Sequence, residues 1–155
     1  LEAQMQDFLN TFYGAAGPEI RRYIRLLTDI VRQENIHVGF NDSCDRPYLT
    51  PERLGQYNAI LDRAAEKVQG DPILLTRVEK ARLSLRWVRI KNRAMLEGKR
   101  DTAEINRFFA DWKAHGLTRI DEWVSEQTTH KALLHPVWRG TDFLKDWWEE
   151  GKEQH

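Results

Sequence analysis

One cysteine, Cys44, stands among the 155 residues, so no internal disulfide can form. A helical domain of this size needs no such staple, and the redox compartment is left open. Neither sign of charge is in surplus: Lys plus Arg number 24, and so do Asp plus Glu. A dedicated nucleic-acid binder needs a basic excess to displace counterions from phosphates, so this balance argues against one. No apolar run approaches the ~18 residues that suggest a membrane span. Leu1 to Met5 lacks the basic start and apolar stretch of a signal peptide. Gly-rich phosphate loops and the HExxH pattern are missing as well. The histidines (His37, His115, His130, His135 and His155) never stand at i, i+4 on one helix. His37, Asp42, Cys44 and Asp45 cluster in sequence without the spacing of a metal site. A Cys44–His37 nucleophile pair has nothing beside it to suggest an oxyanion hole. Neither cofactor nor metal is expected.

What is present is apolar periodicity. Met5, Phe8, Leu9, Phe12 and Tyr13 fall at i, i+3, i+4, i+7 and i+8, one face of a helix. Gly14 ends it, and Gly17-Pro18-Glu19 opens a second helix carrying Ile20, Tyr23, Ile24, Leu27, Ile30 and Val31. Asn35 to Leu49 breaks the rhythm. Ile36, Val38 and Phe40 alternate there as a short extended piece would, and Asn41-Asp42-Ser43 is turn chemistry. Thr50-Pro51-Glu52 then supplies a hydroxyl cap, a first-turn proline and an acid at the positive end of a third helix, which Gly70 stops.

Asp71-Pro72 restarts the chain as a long fourth helix to about Glu97, roughly 40 Å at 1.5 Å per residue. Leu74, Val78, Ala81, Leu85 and Val88 line one side of it, and Leu83, Trp87, Ile90 and Ala94 widen the apolar sector. That width is expected of a central helix touching several others. Asp101 to Glu104 has capping-box spacing ahead of Ile105, Phe108, Phe109 and Trp112. Ile120, Trp123 and Val124 suggest a short sixth helix, and Phe143, Leu144, Trp147 and Trp148 a last one capped at Thr141. The fold expected is all-α: an irregular bundle of six to seven mostly antiparallel helices around the long fourth one, forming a single domain over residues 1–155. The helical pattern is already running at Met5, as it would in a piece excised from a larger parent.

Three groups of side chains are candidate sites. The irregular segment carries His37, Asn41, Asp42, Asp45, Arg46 and Tyr48, and loops are where function concentrates. Arg82, Arg86, Arg89 and Arg93, at i, i+4, i+7 and i+11, share one helix face as an anion or docking stripe. The competing reading pairs them internally with acids such as Asp142, Asp146, Glu149 and Glu150, and it is the one preferred here. Trp138, Trp147 and Trp148 suit a stacking platform for sugar rings or an interface, and packing is the preferred reading. Trp87, Trp112 and Trp123 sit on apolar stripes and are expected in the core. Acid pairs such as Glu149 and Glu153 read as solvated surface, since no apolar pocket is evident around them.

An ordered set of residues adds a resemblance. Phe8-Leu9…Phe12-Tyr13-Gly14-Ala15-Ala16, Ile20…Tyr23, Tyr48-Leu49-Thr50-Pro51-Glu52…Leu54, Ala64…Val68 and Arg77-Val78…Ala81-Arg82-Leu83…Leu85…Trp87 resemble the helical C-terminal part of bacterial proteins of domain-of-unknown-function family 4838. The match spans residues 1–98, and residues 99–155 are additional helices. The resemblance implies an exported parent, periplasmic or on the cell surface, holding a (β/α)8 barrel similar to glycoside hydrolases. Its catalytic acids would sit at the barrel's strand ends, outside this chain. The chain itself would be a non-catalytic appendage that packs on that barrel and lends segment 37–48 to its cleft. Its implied partners are the upstream barrel and an oligosaccharide, with no nucleic acid and no membrane span. Carbohydrate binding, or protein interaction and dimerisation, is the alternative.

Overall fold

The computed structural model describes residues 2–39, 45–120 and 126–134. Among these the chain is helical, with no strand, as the periodicity predicts. In order come α1 (Glu2–Tyr13), a 3-10 turn (Gly14–Ala16), α2 (Gly17–Gln33), a second 3-10 turn (Pro47–Leu49), α3 (Pro51–Lys67), α4 (Pro72–Met95), α5 (Thr102–Ala114) and α6 (Glu126–Leu134). They form two compact units, Leu1–Arg89 and Ile90–His155, whose boundary falls inside α4.

In the first unit α2 lies between α1 and α3 and packs along both. The turn joining α1 to α2 is made by two glycines with different tasks. Gly14 has φ +55°, a left-handed conformation that a side chain disfavours. Gly17 has ordinary helical φ but no room: a Cβ there would stand 2.8 Å from the Leu9 carbonyl oxygen. The start of α2 therefore presses directly on the backbone of α1. Leu9, Ala16 and Ile20 are buried at this corner, and Tyr57, Leu61 and Ala64 of α3 continue the core with no exposed surface. Val78 and Leu85 of α4 close it. Burying each large aliphatic side chain stabilises the fold by roughly 1.5–3 kcal/mol.

Helix ends follow the capping chemistry. Thr50 Oγ1 accepts from the Arg53 amide at 3.3 Å, and Asp71 Oδ1 accepts from the amides of Ile73 and Leu74 at 2.9 and 3.0 Å. At the end of α2 Asn35 takes φ +49°, and the Ile36 amide reaches back to the Val31 carbonyl at 2.9 Å. Asparagine is the non-glycine residue best suited to that turn.

In the second unit α5 packs on α6. Ile105, Phe108 and Phe109 are buried on α5, and Thr128 and Leu133 on α6. The His130 ring stacks on Phe109 with centroids 4.3 Å apart, and its Nε2 lies 2.7 Å from Asn106 Oδ1.

Three expectations are corrected. The α1 stripe splits: Leu9 is buried while Phe8 and Phe12 are 59% and 38% exposed. The contact with α2 is made along the i, i+4, i+8 line of Met5, Leu9 and Tyr13, which leaves Phe8 about 100° and Phe12 about 60° round the helix from Leu9. The sixth helix starts at Glu126. Ile120 is in no helix, and Trp123 and Val124 lie outside the described residues. Trp87 and Trp112 are half-buried rather than core.

Candidate functional site

The irregular segment is anchored at its stem. Arg46 Nη2 donates to the His37 carbonyl at 2.6 Å, joining the two sides of the loop. Arg53 of α3 donates to the Pro47 carbonyl at 2.9 Å and grips both carboxylate oxygens of Glu34, at the end of α2. The hydrogen bond from Arg53 holds the Glu34 carboxyl below its usual range and raises the guanidinium in turn. The Tyr57 hydroxyl donates to the Tyr48 carbonyl at 3.0 Å, and burial pushes its pKa up. Here the carbonyls of His37 and Tyr48 accept from the side chains of Arg46 and Tyr57, and Asp45 lies in a turn before Arg46. Asn41 and Asp42 lie outside the described residues.

The arginines of α4 do not converge on one anion site. Arg82 is largely covered, with Nη1 2.6 Å from Asp62 Oδ1 of α3 and Nε 3.3 Å from Glu79. The second contact is an ion pair without hydrogen-bond alignment, because Nε has no hydrogen-bond partner. Arg93, in the second unit, pairs with Glu104 at 2.9 Å. Arg86 and Arg89 are also engaged. The acids at hand are thus on α3, α4 and α5. The tail acids Asp142, Asp146, Glu149 and Glu150, and with them Trp138, Trp147 and Trp148, lie outside the described residues.

A further concavity lies elsewhere among the described residues. A groove of about 670 Å³ runs between α2 and α3, lined by Pro18, Leu26, Ala59 and Ile60 and by Arg21, Arg22, Arg25 and Arg63, with Asp29 and Gln56. Arg21 and Arg25 both reach Glu2 of α1, and Arg63 shares Glu19 with Lys67. The carboxyls of Glu2 and Glu19 are lowered by these partners, first by the Arg21 and Lys67 hydrogen bonds respectively. On the other side of α3 a second hollow, about 500 Å³, is edged by Asp62, Glu66 and Glu79 with Arg82. The two flanks of α3 are therefore unlike: arginines, mostly from α2, lie along one and acids along the other.

The basic groove was not among the candidates that spacing suggested. Its signal was Arg21, Arg22 and Arg25 clustered along α2, which reads as an ordinary solvated face until α3 is placed beside it. Among the described residues, no three His, Cys, Asp or Glu side chains group as metal ligands, and no helix is long and apolar enough to cross a membrane. No family model, curated protein or solved structure matches this chain.

Proposed function

We propose that this chain is a non-catalytic helical accessory domain of a glycoside-hydrolase-like, carbohydrate-processing protein. In this reading it packs on an upstream barrel of the same, exported polypeptide and lends the loop beyond His37 to the barrel's cleft. The finer arrangement of six to seven antiparallel helices about α4 belongs to the same proposal.

The observation that supports a packing role is the aromatic pair on α1. Phe8 and Phe12 stack with centroids 5.6 Å apart and stay exposed at 59% and 38%. The Arg77 guanidinium caps Phe12 at 4.3 Å, and its Nη1 donates to the Phe12 carbonyl. Exposed rings held in place in this way offer a preformed apolar contact to a neighbouring surface. The acids of this unit fit a structural role too. Glu2, Glu19 and Glu34 are held ionised by cations, the opposite of what a glycosidic general acid requires.

Two measurements test the reading. The isolated chain should hydrolyse no member of a panel of aryl glycosides, and hydrolysis lost on point mutation of its own acids would overturn it. In the full-length gene product, Phe8→Ser with Phe12→Ser should lower the melting temperature of the preceding domain while the chain's own melting, measured alone, hardly moves. A gene product with no barrel before Leu1 would end the proposal. The same aromatic pair also favours the second reading, a protein-interaction or dimerisation module. Sedimentation with and without residues 137–155 distinguishes it: a monomer in both cases at high concentration counts against self-association.

A further inference from the structure

The α2–α3 groove is lined by four aliphatic residues, Pro18, Leu26, Ala59 and Ile60, and by four arginines against one carboxylate, Asp29. Part of that charge is met from outside, by Glu2 on Arg21 and Arg25 and by Glu19 on Arg63. Arg25 nevertheless keeps 59% of its side chain exposed. Arg22 is exposed and has no ion-pair or hydrogen-bond partner among the described residues.

We propose that this groove docks an acidic, amphipathic peptide segment of a partner protein. Charge complementarity selects the occupant, since guanidinium forks pair with carboxylates in two-point contacts. The aliphatic lining refines the choice. Pro18, Leu26, Ala59 and Ile60 offer aliphatic surface that a bare polyanion would leave unused. A sugar ring would want a flat aromatic face, and no aromatic side chain lines the groove. A helix with leucines on one face and glutamates beside them uses both parts, the leucines against the aliphatic residues and the acids against the arginines. The α2 residues that line the groove, Pro18 to Asp29, span about 16 Å, which matches roughly eleven residues of a partner helix. This inference does not rest on the accessory-domain reading, because the groove and the Phe8–Phe12 pair involve different residues.

The test is fluorescence anisotropy of the whole chain with a labelled helical peptide bearing Leu at i, i+3, i+4 and i+7 and Glu on the flanking positions. Saturable binding is expected, weakened about tenfold or more by Arg22→Glu and largely retained by Arg22→Lys. Arg22 is exposed and unpaired, so both variants should keep the parent's melting curve. Replacing the peptide's Glu by Gln, or its Leu by Ser, should each abolish saturation. The proposal is overturned by no saturable binding up to about 1 mM, or by binding indifferent to Arg22→Glu. It is equally overturned if the Leu-free peptide, tripolyphosphate or an acidic oligosaccharide binds as well as the amphipathic peptide. Sedimentation in which Arg22→Glu dissolves a dimer would assign the groove to a second copy instead.

Discussion

At the scale of single residues, the space around a Cα decides more than its propensity. Gly17 and Gly55 are both helical and both without side chains, yet their positions oppose each other. A Cβ at Gly17 meets the Leu9 carbonyl at 2.8 Å, backbone that cannot swing aside. A Cβ at Gly55 meets nothing within 4 Å. Gly17→Ala should therefore destabilise the protein by roughly 1–3 kcal/mol, and Gly55→Ala should stabilise it by about 0.5–1 kcal/mol. Thermal unfolding of the two variants checks both signs. The sequence shows two glycines in helical company and cannot rank them, because the obstacle at Gly17 belongs to a different helix. Tyr57 is a similar case. Its ring shares a helical stripe with Leu54 and Leu61, at i−3 and i+4, but the hydroxyl's bond to the Tyr48 carbonyl depends on where the loop returns.

At the scale of elements, caps were the legible feature. Thr50, Asp71 and Asp101 each start a helix, and each accepts an amide hydrogen bond from its own first turn. The box read at Asp101 is made on one side: Asp101 Oδ1 takes the Glu104 amide at 3.0 Å, while the Glu104 carboxylate pairs with Arg93. Asp101→Ala should cost about 1 kcal/mol and fray α5; faster amide exchange at Ile105 and its neighbours is the measurement. What the pattern hid were faces and one start. The i, i+3, i+4 stripe on α1 is wider than the strip α2 covers, so Phe8 and Phe12 looked buried and are not. The start of α6, Glu126-Gln127-Thr128-Thr129, has no apolar rhythm. Its packing comes from Leu133, a buried threonine and a histidine on a phenylalanine ring, which periodicity does not register.

At the scale of the molecule, the all-α class was legible because apolar rhythm and local stops are properties of short stretches. The grooves were not, since they exist where α3 meets its neighbours. The ion pairs around them set the response to pH. Glu2, Glu19 and Glu34 have folded values below the ordinary 4.5, so the unfolded chain binds protons first as pH falls. Their contribution is present above about pH 4.5 and is lost as acid titrates the folded carboxyls. Melting followed by helical circular dichroism should show a falling midpoint below that pH, and replacing all three by Gln should flatten the decline. Tyr13, Tyr23 and Tyr57 work in the other direction, because burial raises them above 10.0. Stability that is intact below about pH 10 is lost as the medium becomes more alkaline than the folded hydroxyls tolerate.

The two unlike flanks of α3 affect how copies of the chain meet one another. A polypeptide with no net charge does not repel its neighbours, and here one lateral face is cationic while the next is anionic. Neighbouring molecules can turn until opposite flanks confront each other, an attraction that ions in the buffer blunt. Near its isoelectric point of about 7.2 the protein should therefore dissolve least well in dilute buffer and become more soluble as salt is added, contrary to ordinary salting-out.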